Sequence, residues 1–202
     1  GKGVVKRNLM VKTLLESLTA LDSITPQFKT TYVHNFTSLP ASCVFVGGQN
    51  INTLIKAVLE DESSKEDGYI KFILPPEYQF LIDLLITLGC NNPDLKIEHI
   101  FCLQKDVKSD DENTYNISIL KIIAPLLLSC HNYEAYIYYG TMEALTNVTS
   151  VFPFFLLTSD KVIGLSYDLQ DAVLFQEEPF HKVYIQIFEK LLLSCSPLTE
   201  KL

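Results

Sequence analysis

The side chains best suited to chemistry are the histidines and cysteines, four and five in number. His99-x-x-Cys102 and the adjacent pair Cys130-His131 form the densest group, and imidazole with thiolate is either a zinc-ligand set or a nucleophile with its base. The spacing argues against zinc, because structural zinc sites use tight paired knuckles in loops whereas Cys102 falls in a strand-like run. No Gly-x-Ser-x-Gly or His-Glu-x-x-His motif is present. Gly47-Gly48-Gln49-Asn50 is a second candidate, since two glycines let the backbone turn sharply and leave amides near a positive helix end. It lacks both dinucleotide-binding glycine spacing and the Lys-Ser/Thr of a P-loop, so it reads first as a tight turn, with Asn50 capping the helix through its side-chain oxygen. Asp106, Asp110, Asp111 and Glu112 lack the arrangement of a calcium loop and read as a solvated segment. Asp160, Asp168 and Asp171 sit at turns, where carboxylates serve the backbone. The expectation is therefore no catalytic residue, no metal and no cofactor.

The totals agree with a binding or regulatory role. A chain of 202 residues with 48% hydrophobic and 20% charged residues has enough apolar material for one sizeable core, and its apolar runs are too short to span a bilayer. A net charge of −8 opposes direct contact with nucleic-acid phosphates. Five cysteines without a close pair point to free thiols and a reducing cytoplasm. Sequons at Asn35, Asn116 and Asn147 carry no weight without a secretory context.

Hydrophobic periodicity supplies the elements. Lys6 to Asp22 is an amphipathic helix with Val4, Val11 and Leu18 in one row and Leu14 and Leu21 in another. It either packs on its own domain or serves as a linker or dimer helix, in which case Val11, Leu14, Leu18 and Leu21 form the contact. Residues 1–25 are assigned to this helix and 26–202 to a single α/β domain. Cys43 to Val46 is predicted as a buried strand, followed by a helix from Ile51 to Glu60. Tyr69 to Leu74 is a second strand, and Pro75-Pro76-Glu77 opens a helix ending at Leu88, with Gly89 as a left-handed terminator. Ile97 to Leu103 is a strand, Gln104 to Thr114 a polar loop, Tyr115 to Ser129 a helix kinked or delayed by Pro125, and Tyr133 to Tyr139 a strand. Phe154 to Leu157 and Val162 to Leu165 form a hairpin across Thr158-Ser159-Asp160-Lys161, Ala172 to Phe175 adds a strand, and Pro179 opens a long helix with Val183, Ile187 and Leu191 on its apolar side. The fold expected is α/β, a two- or three-layer sandwich of β-α-β units with a C-terminal hairpin followed by a long helix.

Thr158 to Lys161, Leu165 to Asp168, Glu177 and Glu178, Tyr184, Phe188, and Ser196 to Leu198 together resemble the C-terminal region of certain Firmicute transcription regulators of the XRE type. In those regulators a helix-turn-helix domain precedes this region, which acts as an effector or dimerisation domain. The β-α-β order with a final hairpin also looks like half of a phospholipase D-like fold. None of His34, His99, His131 or His181 is followed two places later by Lys, so that resemblance implies a non-catalytic copy.

The reading that follows is a non-catalytic, cytoplasmic regulatory domain of a bacterial transcription regulator. It forms a homodimer, takes a small-molecule effector, touches DNA only through another domain and has no membrane contact. Ligand contacts belong at the carboxyl ends of the strands, at Gly47, Gly48, Asn50, Tyr136, Tyr138 and Asp168. The alternative is a small cytosolic α/β enzyme with dispersed active-site residues.

Overall fold

Eight strands in the order β1-β7-β6-β5-β2-β3-β4-β8 make one mixed sheet in the computed structural model, which describes residues 42–104, 110–146 and 152–198. The chain runs β1 (Ser42–Val46), α1 (Gly48–Ser63), β2 (Tyr69–Ile73), α2 (Gln79–Asn91), β3 (Lys96–Leu103), α3 (Asp110–Ser129), β4 (Tyr133–Tyr139) and the short α4 (Met142–Thr146). It continues through β5 (Phe154–Leu157), β6 (Val162–Leu165), β7 (Asp171–Phe175), α5 (Glu178–Leu192) and β8 (Ser196–Pro197). The predicted first helix, with Val11, Leu14, Leu18 and Leu21, lies outside the described residues, as do the connection before β1 and Asp106.

The expected α/β sandwich is present and has three layers. Leu54, Ile55, Val58 and Leu59 of α1, Leu81 and Leu85 of α2, and Ile119, Ile123 and Leu126 of α3 pack on one sheet face against Ile70, Phe72, Ile97, Phe101, Leu156 and Ile163. Alternation along the strands sends Ile73, Ile100, Phe155, Leu157 and Val162 to the other face, where Phe188 and Leu191 of α5 and Leu145 of α4 cover them. Phe155 meets Tyr184 and Phe188 edge to face, with centroids 5.2 Å and 6.4 Å away. The buried row of α5 is His181, Phe188 and Leu191, so Val183, predicted to be inside, is on the outside and half exposed.

β2, β3 and β4 are adjacent and parallel, as two successive β-α units require. β1 departs from that expectation. It lies at the sheet edge, antiparallel to β7 and only partly buried, because the meander β5-β6-β7 stands between it and β2.

One buried carboxylate ties this meander to the parallel half. Glu62 near the end of α1 is fully buried, and its Oε1 accepts the backbone N–H groups of Tyr69 at 3.0 Å and Ser159 at 3.0 Å. Its Oε2 accepts Ser159 Oγ at 2.9 Å and Lys65 Nζ at 2.7 Å. Lys65 also reaches Asp160 at 2.9 Å, and Lys161 bridges Asp160 and Asp61 at 2.9 Å and 3.1 Å. The β5-β6 turn is thereby clamped to α1 and the start of β2. Burial works to lower the Lys65 pKa, but the hydrogen bonds to Asp160 and Glu62 prevail and raise it. Burial likewise works to raise the Asp160 pKa, and the hydrogen bonds and charges of Lys65 and Lys161 hold it below the ordinary carboxylate value.

Gly89 does not terminate α2, which runs through it to Asn91. A Cβ at Gly89 would stand 2.4 Å from Cys130 Sγ, so glycine is present to let the end of α3 approach α2. Three further boundaries differ from expectation. Pro75-Pro76-Glu77 forms a turn before α2, closed by Tyr78 N–H on Pro75 O at 3.1 Å. The helix expected from Tyr115 starts at Asp110, and Pro125 sits inside it. α1 begins at Gly48, three residues earlier than the predicted Ile51.

Gly89→Ala is expected to destabilise by about 1–3 kcal/mol, the range for overpacking a tight contact. Adding Cys130→Ala should recover part of that loss, a coupling readable by urea denaturation of the two single variants and the double variant. Glu62→Ala strands two backbone N–H groups and is expected to cost about 3 kcal/mol. Because the folded-state pKa of Asp160 is depressed, its contribution is present above its unfolded value and lost as pH falls through the folded one. Asp160→Asn should therefore flatten the acid limb of a stability-versus-pH curve from urea midpoints. Lys65, with its raised pKa, adds stability below the ordinary lysine value that is lost as pH rises through the folded one.

Candidate functional site

Parallel strands end on exposed N–H and C=O groups, and the connections leaving them part to opposite faces, which opens a crevice. Here α2 and α3, following β2 and β3, pack on the first face, whereas Leu145 of α4, following β4, packs on the second. Between these connections lies a cleft of about 360 Å³. Its walls come from Pro75, Pro76 and Glu77 after β2, Cys102 and Gln104 at the end of β3, Tyr115 on α3, Gly140 to Met142 after β4, Phe154 on β5 and Tyr167 after β6.

The walls are held by local bonds. Asn116 on α3 donates through Nδ2 to Gln104 O and accepts the Gln104 N–H at Oδ1, both at 3.0 Å, so its amide acts as a further strand partner for the end of β3. The Gly140 N–H bonds to Leu103 O at 3.0 Å, and Thr141 Oγ1 receives the Ala144 N–H at 3.2 Å to begin α4. Tyr167 stacks on Phe154 with centroids 5.6 Å apart. Its position is set by the Ser166 to Asp171 turn, where Ser166 Oγ donates to Asp168 Oδ1 at 2.7 Å and Leu169 takes a positive φ of 57°. The Tyr115 phenol is pushed up to about 12, first by burial, then by the charge of Glu77 and by Cys102, and by its hydrogen bond to Glu77. It remains protonated at neutral pH.

None of the six residues expected to bind ligand lines this cleft. Gly47, Gly48 and Asn50 follow β1, and the two glycines meet the β6-β7 turn instead. The Gly47 N–H bonds to Gln170 O at 2.8 Å, and a φ of 88° accounts for glycine at that position. Asn50 does not cap α1 through its oxygen; its Nδ2 donates to Val46 O at 2.8 Å. The Asp168 carboxylate is engaged by its own turn, which is the structural role expected of it. Tyr136 and Tyr138 project to the α5 side, where Tyr136 donates to Glu134 at 2.5 Å.

The histidine–cysteine group is not brought together either. His99 and Cys102 face opposite sides of β3, as a three-residue separation on a strand dictates. His99 is fully buried and stacks on Phe72 at 4.1 Å. Its Nε2–H donates to Leu74 O at 3.3 Å and its Nδ1 accepts from Tyr133 Oη at 2.9 Å, and burial brings its pKa down to about 3. Cys130 donates to Leu85 O at 3.5 Å, and burial pushes it, like Cys43 and Cys195, up to about 11. These thiols pack as small hydrophobes. No group of three metal-ligating side chains occurs among the described residues.

A second cleft, of about 560 Å³, lies at the amino ends of β2 to β4 beside α5. Its central charges already neutralise one another, Lys71 Nζ being 2.5 Å from Glu98 and over the Phe188 ring.

Comparison with known proteins finds no matching family model and no similar curated protein. No helix among the described residues is long and apolar enough to cross a membrane.

Asn116→Ala is expected to cost about 1–2 kcal/mol, the sum of two ordinary hydrogen bonds. The loss should be local, with hydrogen exchange at the Gln104 amide rising more than at the core amides of β3.

Proposed function

We propose that this chain is the non-catalytic effector-sensing region of a bacterial transcription regulator, and that the cleft at the carboxyl ends of β2, β3 and β4 receives the effector. The observation that carries this reading is the origin of the walls: six separate segments contribute, so one small molecule would bridge the connections after β2, β3 and β4 and the ends of β5 and β6 at once. The volume and the mix of apolar wall with a few polar groups suit such a ligand. The buried thiols and the neutral core imidazole fit packing better than bond-making.

In this proposal the domain forms a homodimer through the stripe Val11, Leu14, Leu18 and Leu21, and DNA contact belongs to a separate helix-turn-helix domain. The protein acts in the cytoplasm. The resemblance of the Thr158 to Lys161 turn and the Ser196 to Leu198 tail to Firmicute regulators supports the same assignment. A native mass spectrum of the protein as purified is expected to show a dimer, with added mass where effector is retained. A monomer that stays monomeric across concentration would count against the dimer stripe. Failure of any small molecule to perturb the cleft amides would count against the effector site.

A further inference from the structure

The cleft has a chemical preference, and drawing it out rests on the effector-site reading above. Among the described residues Glu77 is the only charged one in its lining, and no described Lys, Arg or His joins it there. The neighbouring surfaces are the Tyr115 ring, the stacked Phe154–Tyr167 pair and the Met142 thioether. Aromatic faces carry the negative end of a ring quadrupole and attract cations. A carboxylate offers about four acceptor positions, so Glu77 can take a donor from a ligand. Among the described lining residues an anionic ligand would meet the Glu77 carboxylate and no cation. A purely apolar ligand would cover the carboxylate without replacing its water. We propose that the cleft takes a small organic cation, an alkyl- or arylammonium compound, with its charge on Glu77 and its carbon body against Tyr115, Met142 and the Phe154–Tyr167 pair.

The test is a pair of titrations of the ¹⁵N-labelled full chain at matched ionic strength, one with phenethylammonium chloride and one with sodium phenylacetate, which share a ring and a short arm but differ in charge. The ammonium compound is expected to shift the amides of Glu77, Gly140 and Thr141 to saturation. Glu77→Gln, at an exposed position that leaves the core untouched, should weaken its binding roughly tenfold or more, as loss of one charged contact does. Phenylacetate should leave these amides in place. If phenylacetate titrates the same amides equally well, the cation preference is overturned while the cleft remains a ligand site. Ammonium binding unchanged in Glu77→Gln overturns the assignment of charge to Glu77. If neither compound moves these amides, the cation preference is overturned, and the effector-site reading is then decided separately by whether any uncharged or anionic fragment shifts the same amides.

Discussion

A buried carboxylate is costly unless its acceptor sites are filled, and Glu62 fills four of them with groups from three separate segments of chain. Two of those groups are backbone amides, at the start of β2 and in the β5-β6 turn. The clamp therefore fixes where a hairpin distant in sequence docks on the parallel half of the sheet. β5 pairs with β2 in the register that places Phe72 opposite Leu156, and from that pairing the order of the remaining antiparallel strands follows. Apolar burial contributes far more to stability, but oil-like contacts tolerate sliding, whereas a carboxylate with directed partners does not.

The same docking decides where the cleft can form. With the meander inserted between β1 and β2, the β1-α1 turn is carried three strands away from the tops of β2, β3 and β4. Gly47, Gly48 and Asn50 keep the local geometry of a strand-to-helix turn, yet the two glycines face Gln170 and Asn50 bonds back to Val46, away from the crevice. Phe154 and Tyr167, at the ends of inserted strands, take the place beside the parallel strands that a β1 turn would otherwise occupy.

Much of this was legible in the sequence where local chemistry rules. The strands Tyr133–Tyr139, Phe154–Leu157 and Val162–Leu165 fall where apolar runs and polar turns put them, and so does the long last helix after Pro179. Glycine and proline were harder, because their meaning depends on neighbours far away in sequence. Gly89 reads as a helix end until Cys130 is seen against it, and Pro75-Pro76-Glu77 reads as a helix start although it forms the cleft wall. The rule that ligands sit at the carboxyl ends of strands points to the end of the sheet at which the cleft opens. It could not choose among strands, since strand order comes from long-range pairing that no local pattern records. The Asn116 clamp on Gln104 carried no signal beyond an Asn nearly two helical turns into α3.

The covering of the second sheet face has a kinetic side. With Leu145 of α4, the long helix α5 shields Ile73, Ile100, Phe155 and Leu157. It is held at its start by His181 Nε2–H on Thr158 O at 2.6 Å, and beyond its end by β8 and the Leu198 N–H on Ala135 O at 2.8 Å. With fastenings at both ends and one continuous apolar row between them, the segment has no stable half-open position. Release of residues 178–198 as a piece becomes the smallest opening that wets this core, so the protein is expected to unfold locally in units, with this segment leaving before the three-helix face loosens.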